Sequence, residues 1–291
     1  MAAVLEQAGS PGVRLDNTAN TASAAHFDYL LRLGDSSLVL GQRLAEWTGH
    51  GPVLEEDIAM ANVALDLIGQ ARLLLAHAGK LEARMNGVEG ADAERGENAR
   101  DEDTLAYFRD AHSFRNHTLL ELPHSVDGGV RDYAFTIIRN FLYSALMAQL
   151  WDALQNSSDP QLAAVAERSV KETRYHLRHS RDWLVRLGDG TVESNRRAQA
   201  ALDHLMPFAH EFWAESAMEN EALALGVGAS TAGLKSGWNA LVDSALHEAT
   251  LTRSASKATP PQGKIGHHTE HLAHLLDEMQ SLARQHPEAV W

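Results

Sequence analysis

Long stretches with apolar residues at helical spacing dominate the chain. In the first stretch, residues 27–47, the leucines Leu30, Leu33, Leu40 and Leu44 recur at intervals of three, seven and four residues. This spacing brings side chains to one face of an α-helix. A Gly-His-Gly-Pro sequence follows and predicts the end of the helix.

The second predicted helix covers residues 54–77 and is apolar on two sides. The two stripes consist of Ile58, Ala61, Leu65 and Ile68, and of Met60, Val63, Leu67 and Leu74. A helix that is apolar on more than one side is normally buried on those sides. We therefore expect both stripes to pack against neighbouring helices.

Six further helices are predicted downstream. Their expected ranges are 103–122, 130–155, 160–187, 194–220 with a kink at Pro207, a weaker helix within 232–254, and 266–285. No alternating apolar and polar pattern of useful length predicts a strand. The fold class is therefore all-α, with long helices packed as a bundle.

The polar segments predict the domain organisation. Residues 1–25 are small and polar without periodicity, and we expect a disordered leader there. Residues 82–103 are acidic and glycine-rich, which predicts a mobile loop. Residues 26–291 are expected to form a single helical domain.

Composition excludes several classes of function. The chain has 291 residues and a formal net charge of −14, which disfavours nucleic acid as a partner. No uninterrupted apolar run approaches the ~18–20 residues of a membrane span, and no signal-peptide pattern is present. The absence of cysteine excludes disulfides, thiolate metal sites and iron–sulfur clusters in this chain. We expect a cytoplasmic protein without membrane contact.

A helical bundle rich in histidine and carboxylates raises the possibility of a di-iron site. Such a site takes one Glu from each of two helices and a Glu-x-x-His motif from each of two others. The single Glu-x-x-His sequence, residues 121–124, contains a proline at a predicted helix end. The residue three after Glu172 is Tyr175, and the residue three after Asp66 is Gly69. The sequence thus predicts that the motif is missing on both helices that should carry it.

Several polar residues nevertheless lie on apolar helix faces. They include Asp35, Asp66, Glu172 and His176. Buried charges are costly unless they are paired, so we favour a structural network at these positions. The alternative is a catalytic di-iron subunit that uses them as unorthodox ligands.

Two regions are candidates for contact with a partner. The fifth predicted helix is locally basic and carries Arg174, Arg178 and Arg181, which could meet an acidic surface. The last predicted helix carries His271 and His274.

Together with His267, these two histidines are expected on one helix face. Such a face could bind zinc or nickel. We favour a capping or interface role, because one helix turn supplies neither a pocket nor supporting hydrogen bonds.

Several separated blocks resemble the C subunits of bacterial phenylacetyl-CoA 1,2-epoxidase complexes. The blocks are Tyr29–Asp35, Leu44–His50, Ala61–Arg72, Glu102–Asp110, Lys171–Arg178, His268–Leu272 and Glu278–Gln280, with Trp291 at the end. They run in the family's order from about residue 27 onward.

This resemblance implies a ferritin-like fold and a non-catalytic role. In the family, a homologous A subunit holds the di-iron centre and the substrate site. A separate reductase holds FAD and an iron–sulfur cluster and uses NADPH. The resemblance implies that this chain pairs with the A subunit and holds no cofactor itself. A free-standing helical binding module remains a third hypothesis.

Overall fold

The computed structural model describes residues 14–88, 90–94, 99–126, 128–253 and 262–289. Within these ranges the chain forms α-helices and short 3₁₀ segments, with no strand. The helices are α1 (Arg14–Ala45), α2 (Leu54–Met85), α3 (Gly90–Glu94), α4 (Glu102–Tyr107), α5 (Thr118–Glu121), α6 (Tyr133–Leu154), α7 (Pro160–Gly188), α8 (Val192–Leu205), α9 (Ala217–Ala224), α10 (Thr231–Glu248) and α11 (Glu270–Gln285). The all-α prediction is confirmed.

Two helical hairpins, α1–α2 and α6–α7, build the core, and α2 packs on α7 to join them. Helix α6 is apolar on all sides and is buried along most of its length. Gly34 and Gly41 let α1 approach α2 closely, since a Cβ at either would lie 3.0 Å from Leu75 or Ile68. The remaining helices surround this core: α8 and α10 cover α6 and α7, α9 covers α1, and α11 packs on α4 and α5.

The long helices begin where the sequence supplies capping groups. The Asp159 side chain accepts hydrogen bonds from the backbone N–H groups of Gln161 and Leu162, and Pro160 occupies the first turn of α7. Asp132 caps α6 in the same way through the N–H of Ala134. These signals explain why the predicted starts of the two helices are nearly correct.

The first helix differs from the prediction at its start. It begins at Arg14, so residues 14–25 are helical where we expected a disordered leader. Ala25 is buried in the core, and His26 reaches Asp159 at 2.8 Å, contacts that extend the packed part of the helix upstream of Phe27. Residues 1–13 lie outside the described part of the chain.

The third predicted helix, residues 103–122, is instead broken into α4, a 3₁₀ turn and α5. The buried Asp35 carboxylate accepts hydrogen bonds from the Arg109 guanidinium and, at 2.9 Å, from the backbone N–H of Arg115. A continuous helix would place these two donors differently. The chain therefore turns around Asp35 between α4 and α5.

The sixth predicted helix, residues 194–220, ends early rather than kinking. Helix α8 ends at Leu205, and Met206–Trp213 forms a 3₁₀ segment before α9. Pro207 removes a backbone donor. The Glu211 carboxylate in this segment accepts the N–H groups of Thr118 and Lys264 at 2.7 and 3.0 Å.

The predicted loop at 82–103 is partly ordered. Helix α2 continues to Met85, and Arg100 binds Glu82 through both its backbone N–H and its guanidinium. Helix α3 follows the end of α2, and α4 begins at Glu102. Residues 89 and 95–98 are outside the described part of the chain, and the mobility of the loop remains a prediction.

Candidate functional site at the centre of the bundle

Two polar pairs join α2 to α7 where the sequence predicted degenerate ligand positions. His176 Nε2 lies 3.0 Å from Asp66 Oδ2, and Gln70 Nε2 donates to Glu172 Oε2 at 3.0 Å. Glu172 also accepts a hydrogen bond from Arg168 at 3.0 Å. Both carboxylates are thus engaged by protein partners, as the structural-network hypothesis requires.

The space between the four core helices is too small for a dinuclear centre. The cavity there has a volume of about 10 Å³, room for one water molecule. Its lining comprises Leu40, Val63, Leu67, Gln70, Asn140, Tyr143, Ser144, Met147, Trp151, Thr173 and His176. Helix α1 contributes a leucine and α6 an asparagine, where a di-iron bundle needs a carboxylate from each helix. These residues do not fit two iron ions.

Three buried polar atoms near this cavity have no hydrogen-bond partner: Asn140 Oδ1, Tyr143 Oη and Trp151 Nε1. Burial also raises the pKa of Tyr143, so that its phenol stays protonated. Unpaired buried polar atoms of this kind are normally satisfied by an internal water. The cavity therefore offers one water site beside these polar atoms.

Asp35 lies apart from this centre. It is fully buried and pairs with Arg109, whose Nη1 lies 3.1 Å from Asp35 Oδ2. The structure therefore does not bring Asp35 together with Asp66, Glu172 and His176, the set that the catalytic alternative needs.

Gly69 and Tyr175, which occupy the motif positions for histidine, face outward. A Cβ on Gly69 would meet no atom within 4 Å, and Tyr175 is 43% exposed. The Arg178 guanidinium lies 5.6 Å from the centre of the Tyr175 ring. A histidine at either position would point away from the bundle centre.

A second polar cluster joins α2, α6 and α7, and our sequence reasoning missed two of its members. Glu56 Oε2 accepts a hydrogen bond from Tyr133 at 2.5 Å and lies 2.9 Å from His179 Nε2. Burial raises the pKa of Glu56, but the hydrogen bonds from Tyr133 and His179 outweigh it and hold the pKa below its usual range. Only the acidic start of α2 hinted at Glu56, and nothing in the sequence paired it with Tyr133.

The predicted partner contacts on α7 differ in how they are engaged. Arg174 binds Asp152 at 2.9 Å, and Arg181 binds Glu248 at 2.5 Å. Among the ion pairs of the described residues, none involves Arg178, which instead covers Tyr175. Their role in partner binding remains a prediction.

The histidines near the C-terminus do not share one helix face as predicted. Helix α11 begins at Glu270, so His267 precedes it. Gly266 has a positive φ of 83°, and the N–H of Thr269 donates to the Glu121 carboxylate at 2.6 Å; these features keep the segment non-helical. His271 is half-buried and His274 is exposed on α11.

One of the two predicted apolar stripes on α2 is only partly buried: Ile58 and Leu65 are exposed, whereas Ala61 and Ile68 are half-buried. Met60, Val63, Leu67 and Leu74 are buried, whereas Leu54, Ile58, Leu65 and Leu73 are 72%, 52%, 65% and 38% exposed. We call these four exposed residues the α2 outer face. By length and composition alone, α2 is long and apolar enough to cross a membrane. Core helices of globular proteins share these two properties.

The fold defines a helical bundle in which the described residues around the central cavity include no carboxylate. Residues 13–291 match the family model described as "Phenylacetic acid catabolic protein", and the chain belongs to this family. It is also 42% identical over 263 residues to the C subunit of 1,2-phenylacetyl-CoA epoxidase from Escherichia coli K12. The match covers 90% of this chain and 98% of that protein. The fold is accordingly all-α and ferritin-like.

Proposed function

We propose that this chain is a non-catalytic subunit of a phenylacetyl-CoA epoxidase that supports a homologous di-iron subunit in aerobic phenylacetate catabolism. The observation that carries the proposal is the bundle centre, where about 10 Å³ of space is lined by Leu40 of α1 and Asn140 of α6 in place of carboxylates. Similarity over nearly the whole length of the E. coli C subunit supports the same role. The di-iron centre, FAD, iron–sulfur cluster and NADPH site then belong to other subunits, including a reductase, and the complex is cytoplasmic.

The α2 outer face is the surface that we assign to the partner. Contiguous exposed apolar residues on one helix are unusual for a protein that acts alone and mark interaction sites. Leu65 is 65% exposed, and Gly69 leaves open space beside it for a closely approaching helix. The homologous catalytic subunit is the occupant we propose, because the similar E. coli protein is itself named as one subunit of an enzyme.

The basic side of α7 extends this surface. Tyr175 is exposed and contacts the rings of His176 and His179, which bind α2 through Asp66 and Glu56. Of the three α7 arginines that we assign to partner contact, Arg178 is the one without an ion pair among the described residues. Aromatic and arginine side chains are the types that dominate binding energy at interfaces.

The test is co-purification of the chain with the catalytic subunit, in which Leu65→Glu is expected to weaken the complex at least tenfold. A glutamate there would be buried without a partner in the interface. Leu282→Glu is the matched control, since Leu282 is 55% exposed on α11 and should leave the complex unchanged. Arg178→Glu should weaken the complex more than Arg174→Glu, because Arg174 is already paired.

Two results would contradict the proposal. If Leu65→Glu and Leu282→Glu behave alike, the α2 outer face does not bind the partner. If the wild-type chain neither co-purifies with the catalytic subunit nor is needed for its activity, the chain acts alone, as in the binding-module hypothesis.

A further inference from the structure

Three potential metal ligands come together away from the bundle centre. His26 of α1, His77 of α2 and Asp159 at the start of α7 place one ligand atom each within 4.8 Å of one another. His26 Nε2 and His77 Nε2 lie 2.8 and 2.5 Å from Asp159 Oδ2. The three residues are far apart in sequence, so the tertiary fold alone assembles the cluster.

We propose that His26, His77 and Asp159 form a binding site for a zinc-class divalent cation that ties α1, α2 and α7 together. Two imidazoles and a carboxylate are a donor set that zinc accepts, at bond lengths of about 2.0–2.2 Å. At these bond lengths, tetrahedral ligands lie roughly 3.3 Å apart. The two distances from Asp159 Oδ2 to the histidine nitrogens would therefore have to lengthen by less than about 1 Å for zinc to bind.

Backbone hydrogen bonds orient the Asp159 carboxylate toward the two histidines. Asp159 Oδ1 accepts the N–H groups of Gln161 and Leu162 at 2.9 and 3.2 Å, which leaves Oδ2 directed at the two imidazoles. Burial raises the pKa of Asp159, but the bonds from His26 and His77 outweigh it and keep the carboxylate ionised.

Solvent access allows a water molecule to complete the coordination. The side chains of His77 and Asp159 are 7% exposed, whereas that of His26 is 16% exposed. Three protein ligands plus one water is a common zinc arrangement. The cation would connect three helices that depend on one another for packing, so a structural role follows from its position.

One feature limits the affinity. The buried Nδ1 of His77 has no hydrogen-bond partner, whereas metal-bound histidines usually donate their other N–H to an acceptor. We therefore expect weaker binding than at structural zinc sites with four protein ligands. Without metal, the cluster is a hydrogen-bonded network of the three side chains, which is the competing explanation that the experiment must separate.

The test uses the tag-free full chain after treatment with a chelator. Zinc titration against a chromogenic chelator should show one ion bound by the cluster, and Co²⁺ should give the visible absorption of a tetrahedral site. At a zinc concentration about a hundredfold above Kd, Tm should rise by roughly 5 °C.

Two variants distinguish this site from the other histidines. His26→Gln should fold, because His26 is partly exposed, and it should lower zinc affinity at least tenfold and abolish the Tm rise. The control replaces His267, His271 and His274 with glutamine and should keep both signals. The proposal is overturned if zinc neither binds nor raises Tm, or if the control variant loses the zinc that His26→Gln retains.

Discussion

At the residue scale, several of the charges buried in the described part of the chain pair with a residue of opposite charge. Arg109 pairs with Asp35, and His268 lies 2.7 Å from the fully buried Glu121. Breaking such a buried pair costs about 3–5 kcal/mol, because the remaining charge stays desolvated. The pairing of Asp35 fits the structural network that the sequence analysis favoured for the polar residues on apolar helix faces, and that role stays a prediction.

A buried neutral histidine should make the protein sensitive to acid. Burial lowers the pKa of His124 to about 4, while its hydrogen bond to Glu46 only partly opposes this shift. The unfolded chain therefore binds more protons than the folded chain between pH ~6.5 and ~4. The free energy of unfolding should fall as pH decreases through that window, by on the order of 3 kcal/mol from this group.

Urea denaturation across this pH range measures the effect. His124→Gln removes the titrating group and should flatten this part of the profile, whatever its effect on absolute stability. A wild-type profile that is already flat between pH ~6.5 and ~4 would contradict the interpretation.

At the element scale, small residues decide how closely the helices pack. Gly188 ends α7 against α10, and a Cβ there would overlap the carbonyl oxygen of Ala249. Gly69, in contrast, lies in the middle of α2, where an added Cβ would meet no atom within 4 Å. The packing around the two glycines thus leaves room for a larger side chain at Gly69 but not at Gly188.

Replacing each glycine by alanine should shift stability in opposite directions. Gly69→Ala should raise the free energy of unfolding of the isolated chain by about 0.5–1 kcal/mol, since alanine has the higher helix propensity. Gly188→Ala should lower it by about 1–3 kcal/mol, because the backbone of Ala249 must move. Chemical denaturation checks both, and equal effects at the two sites would contradict the packing argument.

At the scale of the whole molecule, the ferritin-like bundle has a closely packed centre. Asp66 pairs with His176, and Glu172 accepts a hydrogen bond from Gln70. Leu40 of α1 lines the central cavity. The α2 outer face is open instead. The described part of the chain therefore combines an exposed apolar face on α2 with only about 10 Å³ of space at the centre of the bundle.

Iron measurement tests this interpretation directly. The purified chain alone should contain close to no iron, whereas a co-purified complex should contain the iron of the catalytic subunit. Asp66→Asn should leave the iron content of the complex unchanged. About two irons per isolated chain, the content of a di-iron bundle, would favour the catalytic alternative instead.

The family and the ranges of the long helices α6 and α7 could be predicted from the sequence alone. Periodic apolar residues and capping signals such as Asp159-Pro160 are local, so the ranges of α6 and α7 could be predicted closely. The missing motif partners at Gly69 and Tyr175 were likewise readable along the chain. The family resemblance rested on blocks that are contiguous in sequence.

Which apolar and polar groups contact one another depends on the tertiary structure. Both stripes of α2 are equally apolar in sequence, yet Leu65 is exposed while Leu67 is buried, because the neighbouring helices cover one side of α2. His26, His77 and Asp159 are separated by 51 to 133 residues, and no periodicity connects them. Burial and long-range pairing depend on how helices pack, which is a property of the whole fold rather than of any local pattern.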